Sequence, residues 1–207
     1  MPFNTVHFTD TFDITSLPSF TSTVKHMVKA GEAINKGQAV YVTGSTGNAG
    51  TNMIVSKASN SIEMTSSKTM GLLESTLALN GQGYVITEGL LAGLDTSAAG
   101  SAGDPVWLGT DGNLIYGLAN KPVAPAHLVF IGIVTRKQQN NGEIFVKPQN
   151  GFEVEELHNV VLTSKSTGDM LKWNGTNWVN FKGVSGSFTS NDGKTITVTN
   201  GIITNIA

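Results

Sequence analysis

The 207-residue chain has no cysteine. Disulfides, thiolate nucleophiles and cysteine zinc sites are therefore excluded together. Charge is also sparse: Asp, Glu, Lys and Arg make up 14% of the residues, with a formal net charge of −2. Without a basic stripe there is nothing to release counterions from DNA or RNA, so nucleic-acid binding is not expected. No apolar run approaches the ~18 residues of a membrane-spanning helix. Met1-Pro2-Phe3 opens without a basic start or an apolar core segment, so no secretory signal is expected. The chain has no HExxH, no G-x-S-x-G elbow, and no Walker or G-x-G-x-x-G loop ahead of a helix.

Turn and strand residues dominate what is present. Glycine (24) and threonine are abundant, with asparagine and serine close behind. Threonine suits strands, whereas Gly and Asn suit tight turns. Strand-like runs recur from "TVKHMVKA" (23–30) and "QAVYVT" (38–43) to "LVFIGIVTR" (128–136) and "KTITVTN" (194–200). Asp111-Gly112, Asn174-Gly175, Asp192-Gly193 and Asn200-Gly201 supply hairpin turns. No helix is convincing, and "GLLAGLDTSAAG" (89–100) reads as a loop.

The chain also repeats itself. "GQAVYVTGSTGN" from Gly37 parallels "GDPVWLGTDGN" from Gly103. "MGLLES" (70–75) parallels "IGIVTR" (131–136), and "NGQGYVITEG" (80–89) parallels "NGEIFVKPQNG" (141–151). The blocks keep their order at offsets of 61–66 residues, which points to duplication of a small β-unit. Tyr41 and Trp107 fall in equivalent slots, a pattern of core packing. The expected fold is all-β: short antiparallel strands in duplicated small barrel or sandwich units, with a C-terminal β-hairpin region. The expected divisions are an extended arm over 1–22, a body over 23–152 and the hairpin region over 153–207.

Few residues suggest chemistry. His7, His26, His127 and His158 have no histidine partners at metal-ligand spacing. "FEVEELH" gathers Glu153, Glu155 and Glu156. Read as a strand, it places Glu153 and Glu155 on one face, as a solvated surface or as partners for Lys147 or Lys165. No catalytic residue, metal site or cofactor is expected. The arm carries Phe3, Phe8, Phe12 and Phe20 and no Lys or Arg. It either docks its rings on a neighbouring subunit or packs on its own domain as a frayed strand. In "KWNGTNWVN" (172–180) a turn at Gly175-Thr176 brings Trp173 opposite Trp178. The pair either pins the hairpin or stacks on a sugar ring.

"KAGEAINKGQAVYVTG", "GLLES", "AGDPVWLGTDGNL" and "VFIGIVTR" resemble small virion proteins of tailed bacteriophages, of the capsid-decoration and head-fibre type. "NGEIFVKPQNGFEVEELHNVVL", "GDMLKWNGTNWVN" and "GKTITVTNGIITNI" are similar to segments of phage virion and fibre proteins. The resemblance covers roughly residues 25–206 and implies assembly rather than catalysis. It implies a virion location, with assembly in the bacterial host cytoplasm. The implied partners are the major capsid protein or other virion proteins, and further copies in a homo-oligomer, a trimer before other states. The alternative is a tail-fibre or adhesin component that binds host surface glycans. "TITVTNGIITNIA" has almost no charge after Lys194, as expected of a segment covered by a partner.

Overall fold

The computed structural model describes residues 23–46 and 52–207, and it is almost entirely β. These residues belong to two compact units, which divide between Gly151 and Phe152. The first unit holds β1 (Val24–Ala30), β2 (Ala39–Thr46), β3 (Asn52–Lys57), β4 (Thr69–Leu73) and β5 (Gln82–Leu94), followed by β6 (Pro105–Leu108), β7 (Leu114–Tyr116), β8 (Val129–Arg136) and β9 (Gly142–Asn150). They form one sheet in the order β1-β3-β2-β4-β5-β9-β8-β6-β7. An additional β1–β5 pairing returns the first five strands on themselves. The sheet thus closes partially and is not a clear barrel.

The sequence repeat reappears as a repeat of register. Ala39, Val40 and Tyr41 of β2 pair with Leu72, Gly71 and Thr69 of β4, with a bulge after Val40. Pro105, Val106 and Trp107 of β6 pair with Ile133, Gly132 and Phe130 of β8, with a bulge after Val106. Gly37 and Gly103 both take positive φ, at 80° and 94°. Their amides donate to the Leu73 and Val134 carbonyls respectively, at 2.8 and 2.7 Å. One hinge strand serves both copies. The first half of β5 pairs with β1 and β4, and the second half with β9.

That sharing corrects the expectation of a loop at 89–100, because Gly89–Leu94 continues β5. Gly89 and Gly93 sit at φ 122° and 73°, and a register shift falls between Ala92 and Leu94. Two bends that only glycine tolerates well mask the strand period. The copies also differ. The parallel β1–β3 pairing has no counterpart between β5 and β7 among the described residues. Strand β7 has only three residues, against six in β3. Gln38 Nε2 instead donates to the Asp111 carbonyl, and the Ala39 amide to that of Gly112, both at 2.9 Å.

Burial follows from strands covered on both faces. Val40, Leu73 and Val85 enter a cluster with Val28, Ile34 and Val55. Their neighbours Ala39, Leu72 and Ile86 point the other way, into a cluster with Val106, Val134 and Ile144 of the second copy. The pairs Val40-Val106 and Leu73-Val134 keep the repeat's spacing, so each copy repeats the same inward positions. Trp107 is buried in its slot, edge-on to Phe130 at 5.6 Å, and donates to the Gly117 carbonyl at 3.0 Å.

The second unit holds two small sheets. One has the order β10-β12-β11, from β10 (Val160–Val161), β11 (Met170–Trp173) and β12 (Trp178–Phe181). The other is the meander β13 (Gly186–Thr189), β14 (Thr195–Thr199) and β15 (Ile202–Ile206). Among the described residues helix is confined to single turns, of which the α-helical one is Glu63–Ser66.

Gly71 and Gly132 test the repeated register. A Cβ at Gly71 would overlap the Ile86 carbonyl oxygen, and one at Gly132 that of Phe145. Both oxygens belong to paired strands and cannot give way cheaply. Gly71→Ala and Gly132→Ala should each destabilise the first unit by about 3 kcal/mol in chemical denaturation. Gly44→Ala, where a Cβ meets nothing within 4 Å, should change stability by less than about 1 kcal/mol.

Candidate interaction surfaces

Trp173 and Trp178 are directly opposed in the β11–β12 register. The Asn174 amide donates to the Asn177 carbonyl at 3.0 Å, closing the turn. Asn174 Oδ1 also accepts from the Thr176 and Asn177 amides, at 2.9 and 2.8 Å. The indoles meet edge-to-face, with centroids 5.9 Å apart and planes at 60°, so they do not form one flat platform. Each remains close to half exposed, at 46% and 42%.

Two polar side chains of the same unit, Asn180 and Asp169, are already engaged. Asn180 Oδ1 accepts from the Thr163 amide at 2.9 Å, and its Nδ2 donates to the Thr163 carbonyl and to Asp169 Oδ2, both at 2.8 Å. The Asn180 amide, then the Ser166 backbone amide, hold the Asp169 carboxyl below its ordinary value of 3.8. Beside the indoles, Val154, Leu157, Leu171 and Trp178 line an apolar concavity of about 360 Å³.

"FEVEELH" departs from the strand reading. Val154–Glu156 is a single 3-10 turn, with a capping box between Glu153 and Glu156. The Glu156 side chain accepts from the Glu153 amide at 2.6 Å, and Glu-x-x-Glu spacing closes that box more readily than it alternates. Glu155 pairs with Lys165. Lys147 pairs with Glu88 at 3.3 Å. His26 is exposed on β1, and His127 faces Glu63 at 3.0 Å. Tyr116 lines a concavity of about 270 Å³ with Lys36, Leu94 and Asp95. Burial, then the Asp95 charge, push its phenol up to about 12, so it stays a neutral donor, here to the Asp95 carbonyl at 3.2 Å. Among the described residues, no buried side-chain polar atom lacks a partner, and no group of three or more His, Asp or Glu could hold a metal ion.

The meander shows what period-2 reading misses. Phe188 opposes Ile196, and Ile196 opposes Ile206. A register shift between Thr197 and Val198 then sets Val198 against Ile203. Opposed residues share a face, as do residues two apart. Phe188, Ile196, Val198, Ile203 and Ile206 therefore line one side, and Thr195, Thr197 and Thr199 the other, where Ile202 opposes Thr199. Strict alternation would have sent Ile203 and Ile206 to opposite sides. The extra residue, Thr204, stays on the polar side, where its hydroxyl meets that of Thr199 at 3.1 Å. Phe3, Phe8, Phe12 and Phe20 lie outside the described residues.

No family model matches the chain. No curated protein matches it either. Among solved structures it is similar to the N base of the head fiber gp8.5 of bacteriophage phi29, at 13% identity and a TM-score of 0.39. The match covers 64% of this chain and 99% of that one. A likeness at this level carries no argument about function.

Two measurements probe the hairpin. A double-mutant cycle between Trp173→Ala and Trp178→Ala should return a coupling of about 0.5–1.5 kcal/mol, and independent losses would disprove a structural contact. Asp169 has its folded pKa depressed, so its contribution to stability is present above 3.8 and lost as pH falls through the folded value. Carboxyl NMR should show Asp169 titrating below 3.8, and Asn180→Ala should raise that midpoint.

Proposed function

We propose that this chain is a structural component of a tailed-phage virion, decorating or reinforcing the capsid or forming a head fibre. The observation that carries the reading is the C-terminal unit, which presents aliphatic and aromatic side chains to solvent on both of its sheets. Such a surface suits attachment rather than chemistry. The resemblance of residues 25–206 to phage virion segments supports the same reading. On this reading the chain is not an enzyme. Its partners are the major capsid protein or other virion proteins, and it works by bridging subunits, so that buried interface stabilises the assembled shell by mass action.

The N-terminal segment 1–22 supplies a docking arm in this scheme. Deleting it should lower occupancy on purified particles at least ~10-fold while the remainder stays folded. Unchanged occupancy would remove the arm from the scheme, and absence of the full chain from particles would end the virion reading.

A glycan-binding fibre component is the second reading, favoured by the half-exposed indoles of Trp173 and Trp178. Replacing both with alanine distinguishes the two. Lost host-cell binding with normal assembly supports the adhesin. Normal host-cell binding with an altered hairpin supports the structural pin.

A further inference from the structure

We infer that the C-terminal unit, Phe152–Ala207, takes its hydrophobic core from further copies of the same chain. The starting point is how little of the unit is inside. Val160 and Gly183 are its only buried residues. The first unit, by contrast, holds two apolar clusters. In the meander, Phe188, Ile203 and Ile206 are 55%, 55% and 58% exposed on one face, flanked by half-buried Ile196 and Val198.

A folded unit this small with no core needs another source of stability. The usual ones are disulfides, a structural metal or association. The chain has no cysteine, and the described residues offer no metal-binding group. Association remains.

Three features make the occupant a second copy. The unit needs its cover to fold, and an identical unit is present at equal concentration as soon as the chain is made. The apolar face carries no ionisable side chain. Asp192 and Lys194 sit beyond it at the turn and face each other at 3.7 Å, so there is no charge for a partner of opposite sign to read. Two such faces can also meet without like-charge repulsion, and the opposite side, three threonines of β14 with a single exposed isoleucine, Ile202, stays in water, which suits a closed symmetric assembly. Three strands of about five residues give a face of roughly 14 by 17 Å. Standard interfaces bury ~800 Å² per partner, so the contact must also extend over the concavity at Leu171 and Trp178.

This inference rests on exposure within one unit and holds whether or not the chain sits on a virion. Its test is the mass of the full chain in solution, by sedimentation over a wide concentration range without particles. The wild type should be a discrete oligomer. Ile196→Asp with Ile206→Asp should shift dissociation at least ~100-fold to higher concentration, because each buries an unpaired charge. Thr197→Asp, on the polar side, should leave the mass unchanged. If the double variant fails to fold, Ile203→Ala with Ile206→Ala should still shift dissociation ~10-fold or more. A wild type that is monomeric throughout overturns the inference. Two follow-ups then identify the true cover. Unfolding of the C-terminal unit on removal of residues 1–22 would assign it to the arm, and ordering only on added shell protein would assign it to a different partner. Retention of oligomer mass in both face variants overturns the proposal equally.

Discussion

Removing apolar surface from water stabilises a fold by roughly 25 cal/mol per Å², and the two units of this chain meet that requirement in different ways. The first unit covers its strands from both sides within one chain. Consecutive residues such as Ala39-Val40, Leu72-Leu73 and Val85-Ile86 enter opposite clusters, so one sheet separates two cores. The second unit has strands but no interior. Its architecture makes sense only if the missing interior is supplied from outside.

Repetition is how the first unit achieves double coverage economically. The same bulge follows Val40 and Val106, and a glycine stands in the same tight approach at positions 71 and 132. Because β5 belongs to both copies, the repeats form one continuous sheet rather than two separate barrels. The second copy stays open, with no pairing between β5 and the three-residue β7 among the described residues. Loop residue Gln38 and the Asp111-Gly112 turn fill that place.

Legibility in the sequence followed local chemistry. Runs of Val, Ile and Leu between glycine turns marked most strands of the first unit, and the Gly-Val-aromatic blocks revealed the repeat. The Asn-Gly turn was enough to set Trp173 opposite Trp178. Three things were hidden. Gly89 and Gly93 disguised half of β5 as a loop. The Glu153–Glu156 box disguised a 3-10 turn as a strand. The bulge at Thr204 moved Ile203 and Ile206 of β15 onto one face, which no alternating pattern encodes. The surfaces were harder still: a hydrophobic strand reads the same whether its own chain or another copy covers it.

Hydrogen exchange measured at two protein concentrations tests the missing interior most directly. Amides of β5 and β8 should hold their protection at both. Amides of β14 and β15 should lose theirs on dilution, because the molecules that shield them leave. Equal, dilution-independent protection across all four strands would mean that the C-terminal unit is stable by itself, and would contradict the account.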